Sequence, residues 1–363
     1  MSRFASVVAI LLIAACQQLP EKPAPPKPPG PERAQYIQAS FSTLPGWSTT
    51  RLEPSLRALL RYVHLPARER LRMPFTLLRL RSAQSQPKES FGDLLRRVGE
   101  SSNSINRFWD VFVRPALNLR CDEVDAEAGL FTVRTALLGP RANSDLILPT
   151  APLGRMHGDA AGAALEAAGA SVLVDARVAS LDEIDADAIV VAVPPRESAR
   201  LLGEEEPGLE DSPIVSVHLW FDRRLLDRPL AALLGSDAHW VFDRGALTGS
   251  RPERGQYLTV VSSGVPELLE VRGRELVERI AAQLTERLGE AELLWSRVSR
   301  EPYATVALRP GVERPGVETS RPNVVRAGTW TDTGWPATME SAVRSGRRAA
   351  QHILSSASAR VTA

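Results

Sequence analysis

The sequence is poor in cysteine, with only Cys16 and Cys121 among 363 residues. Two thiols cannot build a disulfide framework. Five histidines leave little material for a Cys/His metal centre, so no metal is expected. Net charge is nearly absent: 44 basic and 43 acidic residues sum to +1, which gives no global attraction to nucleic acid. No apolar run reaches the ~18 residues that a membrane-spanning helix needs. What remains is an ordinary globular composition, 44% hydrophobic and 24% charged. The length allows two domains and a sizeable core.

Proline is abundant, and part of the excess sits in one N-terminal run. Arg3 followed by the apolar stretch from Phe4 to Ala15 has the form of a signal segment. It ends in Leu12, Ile13, Ala14, Ala15 and Cys16, which looks like a bacterial lipobox with Cys16 as the lipidated residue. Several acyl chains there would anchor the chain stably. From Pro20 to Pro31 proline lacks amide donors and restricts φ, which predicts an extended, solvated tether. Phe41-Ser42-Thr43-Leu44-Pro45-Gly46-Trp47 holds a Pro-Gly turn, and Leu52, Leu56, Leu59, Leu60 and Val63 follow at helical spacing. Lipobox, tether and this turn together resemble the start of the membrane-bound lytic murein transglycosylase A family, over about 60 residues. No counterpart of that family's catalytic domain follows.

From His64 to Arg81, arginines 68, 70, 72, 79 and 81 interleave with leucines. The pattern fits a solvated helix face whose stems cover apolar surface, the reading we favour, or a basic helix facing a membrane. Helices are predicted over Ser90–Val98 and Ile105–Val113, and for a segment that Leu165–Ala168 closes before Gly169. A strand is predicted over Ser171–Val174, resuming at Arg177 and Val178. Ala188–Val193 reads as a strand buried on both faces, closed by Pro194 and Pro195. Ile214–Phe221, Ala238–Phe242 and Tyr257–Ser262 alternate as strands of a mostly antiparallel sheet. Glu275–Leu288 is an amphipathic helix ended by Gly289. Leu293–Val298 and Asn323–Ala327 read as strands, and Pro336–Leu354 as the last helix.

The chemistry concentrates in the tail. A strand, Val324-Val325-Arg326-Ala327, reaches Gly328. The loop Thr329-Trp330-Thr331-Asp332-Thr333-Gly334-Trp335-Pro336-Ala337-Thr338 follows, and a helix opens near Met339. Small residues permit close backbone approach, and helix-start amides favour an electron-rich group.

This segment resembles the C-terminal flavin motif of the amine oxidase and phytoene desaturase superfamily, in the version of its FAD-dependent hydroxysqualene dehydroxylase branch. The stretches Ala164–Val178, Asp187–Pro195 and Arg107–Leu119 resemble further parts of the same branch, over about residues 64–357. The resemblance implies an α/β protein: an incomplete FAD-binding, Rossmann-like domain plus an α+β substrate domain with a mostly antiparallel sheet. It divides the chain into a signal (1–16), tether (17–34), leader fragment (35–63), helical substrate part (64–165), FAD-domain middle (166–205), sheet part of the substrate domain (206–320) and C-terminal FAD segment (321–357). It implies FAD contacts at Val178, Gly328, Thr329, Trp335, Pro336, Ala337, Thr338 and Met339.

Two departures stand out. Thr329 occupies the place where the family has an acidic residue, and threonine orients a ribityl hydroxyl less firmly. The Gly-rich GxGxxG loop that opens the superfamily is not found before residue 64, where Gly30 and Gly46 are the only glycines. A truncated dehydroxylase joined to a transglycosylase-type leader, with weakened FAD binding, an exposed sheet edge and reduced or absent activity, is the expectation. The implied reaction is reductive removal of the hydroxyl of hydroxysqualene to give squalene. Its substrate is a membrane-dissolved isoprenoid in an apolar tunnel, with Trp109, Phe112 and Trp220 as candidate lining. No catalytic acid is identified; Asp110 is considered beside an ordinary capping role. Alternatives are another amine oxidase or desaturase activity, or a cell-envelope lipoprotein. The leader suggests export and the resemblance the cytoplasmic face, so the expected location is membrane-associated.

Overall fold

The computed structural model describes residues 36–39, 62–140, 143, 146–149 and 154–361. From Tyr36 onward the chain crosses three times between two compact units. One, here the sheet unit, holds Tyr36–Thr150 and Glu210–Val312; the other, the parallel-pair unit, holds Ala151–Leu209 and Glu313–Ala363.

The chain enters the sheet unit at β1 (Tyr36–Ala39). Helices α1 (Ala67–Ser82), α2 (Phe91–Arg97), α3 (Asp110–Leu117) and α4 (Ala126–Ala136) follow, and β2 (Leu146–Pro149) pairs antiparallel with β1. Side-chain caps set two helix starts. Ser90 accepts from the Asp93 amide, and Asp125 accepts from the amides of Glu127 and Ala128. A π-turn over Ile105–Trp109 leads directly into α3, which ends at left-handed Asn118. The Asn118 amide donates to the carbonyls of Ser212 (2.9 Å) and Pro213 (3.1 Å), joining the helices to the sheet that follows.

The chain then builds the first half of the parallel-pair unit: α5 (Ala160–Ala167), β3 (Ile189–Val191) and α6 (Pro195–Leu202). Gly169 follows α5 with φ +73°, as a helix stop requires. The predicted strand at Ser171–Val174 and Arg177–Val178 is not formed; the segment is loop, and Val172, Leu173 and Val174 are exposed. Its apolar residues have no sheet neighbour among the described residues, and a lone strand leaves its backbone groups to water.

Returning to the sheet unit, the chain lays down β4 (Asp211–Phe221), β5 (Leu230–Ala232), β6 (Trp240–Asp243) and β7 (Gln256–Ser263). Then come α7 (Gly273–Leu288) and β8 (Leu293–Val306). The five strands run in the order β5-β6-β7-β4-β8, and every pairing is antiparallel. Alternation decides which face is covered. Val215, Val217, Leu219 and Phe221 of β4 are buried, as are Leu258 and Val260 across the ladder on β7. Leu276, Ile280 and Leu284 of α7 complete that core.

The chain closes in the parallel-pair unit with β9 (Val324–Arg326) and α8 (Met339–Val361). β9 pairs parallel with β3 over three positions, Ile189 to Val324 through Val191 to Arg326. Val191, Val193, Leu201, Leu202 and Val324 pack one side, and Val325, Ala327, Ala349 and Ile353 the other.

Candidate functional site: the loop and helix start after the last strand

Because β3 and β9 are parallel, their carboxyl ends emerge together. Ligands of open α/β sheets lie outside those ends. Here the Trp330 indole N–H donates to the Val193 carbonyl (3.0 Å), tying the loop after β9 to the end of β3. Trp330 itself is buried.

Gly328 stands at φ +153°, and a Cβ there would lie 2.4 Å from Trp330 Nε1. Only glycine permits this crossing. Its amide donates to Ser345 Oγ on α8 (2.8 Å). Thr331 Oγ1 donates back to the Gly328 carbonyl (2.9 Å). Thr333 and Ser341 share a buried hydroxyl contact (2.7 Å), and Ser341 Oγ also donates to the Thr329 carbonyl (3.3 Å). These bonds hold the loop against the first turns of α8 without consuming a charge.

Two charged groups frame the loop. Arg314 sits 3.7 Å from the Asp332 carboxylate, and its burial lowers the guanidinium pKa against the pull of Asp332. Arg344 lies over the Trp335 ring at 4.5 Å and pairs with Glu340 (2.8 Å). Thr338 Oγ1 donates to the Pro336 carbonyl (3.2 Å), and the Ala342 amide takes the Thr338 carbonyl as the helix begins. Met339, the first helical residue, is 60% exposed. A side chain added at Gly334 or Gly346 would meet nothing within 4 Å. The face is therefore open, backed by a tightly bonded loop.

The structure thus brings Gly328, Thr329, Trp335, Pro336, Ala337, Thr338 and Met339 into one segment at the head of α8. Val178 lies elsewhere in the same unit, half-buried beside the core that contains Leu181 and Ile189, with its carbonyl accepting from Arg200 (3.4 Å). Cys16 falls outside the described residues. Sequence reasoning missed three anchors of the loop: Trp330, Ser341 and Ser345. Trp330 stands inside the motif already noted and Ser341 and Ser345 just beyond it on α8, but only the fold reveals their partners.

The candidate substrate residues separate. Trp109 is core, edge-on to Phe91 and Phe108, and Trp220 stacks beside Tyr257 on the sheet. Phe112 is half-buried. Asp110 accepts from the Cys121 amide (2.7 Å), a capping role. Burial, with Asp110 close by, pushes the Cys121 thiol well up, which leaves it inert as a nucleophile. The sheet unit does hold a cleft of about 680 Å³, with a mixed lining in which Val111, Leu233 and Trp240 stand beside charged side chains. Its charged members include Arg107 from the π-turn, Asp110 and Arg114 from α3, and Asp237 from the segment before β6, which also brings His239. Arg114 donates to the carbonyls of Ser263 (2.8 Å) and Gly264 (2.7 Å). His239 Nδ1 accepts from the Ser263 amide (3.1 Å), and burial together with Arg114 drives its pKa to about 3. No group of three or more His, Cys, Asp or Glu positioned to hold a metal occurs among the described residues.

Comparisons with known proteins bear on the chain as a whole. The sequence model of the family described as flavin containing amine oxidoreductase matches residues 28–354. The chain belongs to that family. The match starts upstream of residue 64, within the stretch whose composition suggested a tether. A hydroxysqualene dehydroxylase of Sinorhizobium fredii is 32% identical over 268 residues, covering 67% of this chain and 62% of that protein. One of Rhodopseudomonas palustris is 31% identical over 340 residues, covering 82% and 79%. The chain thus spans less than two thirds of the first relative. An oxidoreductase from Methanosarcina mazei shares the fold with a TM-score of 0.61 at 15% identity, covering 79% of this chain and 73% of that one.

Proposed function

We propose that this chain is an FAD-dependent oxidoreductase that removes the hydroxyl of hydroxysqualene reductively, giving squalene. The observation that carries the reading is the segment Gly328–Met339. It bonds itself to α8 and leaves an open face at the helix start, in a chain similar to two hydroxysqualene dehydroxylases. A reduced flavin held there would supply the hydride that replaces the hydroxyl, the oxygen leaving as water. The rest is the chain's own work. The amides of the first α8 turn offer positive partial charge to the electron-rich edge of the ring. Thr329 offers one hydroxyl to the ribityl chain, and Gly328, Trp335, Pro336, Ala337, Thr338 and Met339 form the wall. Val178 is assigned to the adenine side.

The test is direct. Purified protein mixed with FAD is expected to show the visible bands of bound flavin and, with a reductant, to convert hydroxysqualene to squalene, read by gas chromatography. No flavin retention at any concentration overturns the reading. Retention without conversion, or with turnover of another substrate, moves it to the broader oxidase or desaturase class. Thr329, a neutral hydroxyl, supports weak FAD binding. Thr329→Glu is therefore expected to tighten FAD severalfold in a titration of flavin fluorescence. We also propose a membrane-associated location, with lipidation at Cys16. Incorporation of labelled palmitate that vanishes in Cys16→Ala is the expected result.

A further inference from the structure

Helix α1 carries two opposite stripes. Glu69, Met73, Thr76 and Leu80 are buried, at spacings of four, three and four residues. Leu71, Phe75 and Leu78 repeat nearly the same spacing on the other side, and they are 59%, 66% and 65% exposed. At about 100° per residue the two stripes lie some 180° apart. The buried stripe is firmly seated. Glu69 accepts from Ser101 Oγ and Asn103 Nδ2, both at 2.7 Å, and Thr76 donates to Glu100.

Three large apolar side chains on one outward ridge are unusual for a helix that already has its core face. The charges around the ridge say what suits it. On the same angular count, Arg68, Arg72 and Arg79 stand about 60–100° to one side of Leu71, and Arg70 and Arg81 about 80–100° to the other. The helix contains one acidic residue, Glu69, and that one is turned inward. Arg72 and Arg79 reach back to the carbonyls of Gly99 (2.6 Å) and Val98 (2.7 Å), so their stems border the ridge while their heads turn toward the protein. An apolar ridge between two rows of guanidinium groups matches a bilayer surface: acyl chains beneath the ridge, anionic headgroups beside the arginines. A protein partner of matching shape would need two acidic rows around an apolar groove, a far more particular surface. α1 has 16 residues, and no helix among the described residues is long and apolar enough to cross a membrane. The geometry points to α1 lying in the plane of an anionic membrane surface, with Leu71, Phe75 and Leu78 inserted at the headgroup boundary.

This surface gives the proposed enzyme its route to a membrane-dissolved substrate, and in that sense it rests on the proposed function. Its test does not. Full-length Cys16→Ala protein, which cannot be lipidated, is sedimented with vesicles of phosphatidylcholine alone or with 30% phosphatidylglycerol as a probe concentration. Binding is expected to favour the anionic vesicles by tenfold or more. Leu71→Ser/Phe75→Ser/Leu78→Ser is expected to weaken that binding at least tenfold, with an unchanged circular dichroism spectrum. Arg68→Glu/Arg81→Glu is expected to remove most of the anionic preference, at roughly fivefold per arginine. A bimane label on Phe75→Cys should shift to the blue on vesicles. Triple-variant binding equal to the parent would assign the interaction to the leader and overturn the proposal. So would a parent that ignores vesicles, or one that self-associates through this ridge instead. A chain that binds vesicles through α1 but leaves hydroxysqualene untouched would keep this inference and lose the proposed reaction.

Discussion

The two units reach stability by different means. In the sheet unit the interior strand β4 is paired on both sides, with β7 over eight register positions and with β8 over ten. Its core is a large cluster that α7 seals. In the parallel-pair unit, the two strands share three register positions, and each face has a small cluster. So short a ladder supplies few hydrogen bonds and little covered area. Side-chain locks carry the difference: Trp330 to Val193, Gly328 to Ser345, and the half-sheltered pair of Arg326 with Glu204 (2.8 Å). The lesson is that one unit is held by repeated backbone pairing and apolar cover, the other by a few particular polar contacts. The second unit is the one that bears the candidate flavin site.

That contrast can be broken first at Trp330. Trp330→Ala removes a buried indole and its bond to the Val193 carbonyl, and about 4 kcal/mol of stability should go with it. Hydrogen exchange should show the loss concentrated in amides of β3, β9 and α8, with β4 and β7 still protected. Uniform loss across both units would dissolve the distinction.

Arg326→Ala comes next. It strands Glu204, whose remaining partner is the Ser320 amide (2.7 Å), and removes two bonds to the Glu318 carbonyl. About 3 kcal/mol is expected by urea unfolding. Burial pushes the Glu204 carboxyl up, but Ser320 and Arg326 together bring it below the usual range. Its contribution is therefore present above the unfolded pKa and lost as pH falls, and the variant should blunt that acid sensitivity.

The sheet unit offers the smaller, sharpening test. His239 is held neutral, with its pKa near 3 against about 6.5 when unfolded. The unfolded chain then binds more protons below pH 6.5, so stability is full above that value and declines as pH falls toward 3. Between pH 7.5 and 5 the loss should be about 2 kcal/mol, and His239→Gln should flatten the slope in urea titrations at the two pH values. An unchanged slope would show that the cleft does not shelter this imidazole.

Much of the fold follows from local pattern. Period-two alternation marks β4 and β7, and the spacing of Leu276, Ile280 and Leu284 marks the face of α7, because those periods are properties of the backbone itself. The tail motif was equally legible, since its residues are contiguous from Val324 to Met339. Tertiary structure decided the remainder. Val172, Leu173 and Val174 have strand composition yet form loop, because a strand exists only with a neighbour to pair. The partners of Trp330 and Arg326 lie more than a hundred residues away, at Val193 and Glu204, and no local pattern encodes such distances. The sequence of α1 offers two apolar stripes and does not say which is core, Met73 with Leu80 or Leu71, Phe75 and Leu78. Only the packing of the opposite face of α1 turns them outward, since one helix can bury one stripe while the other must meet whatever surrounds the protein.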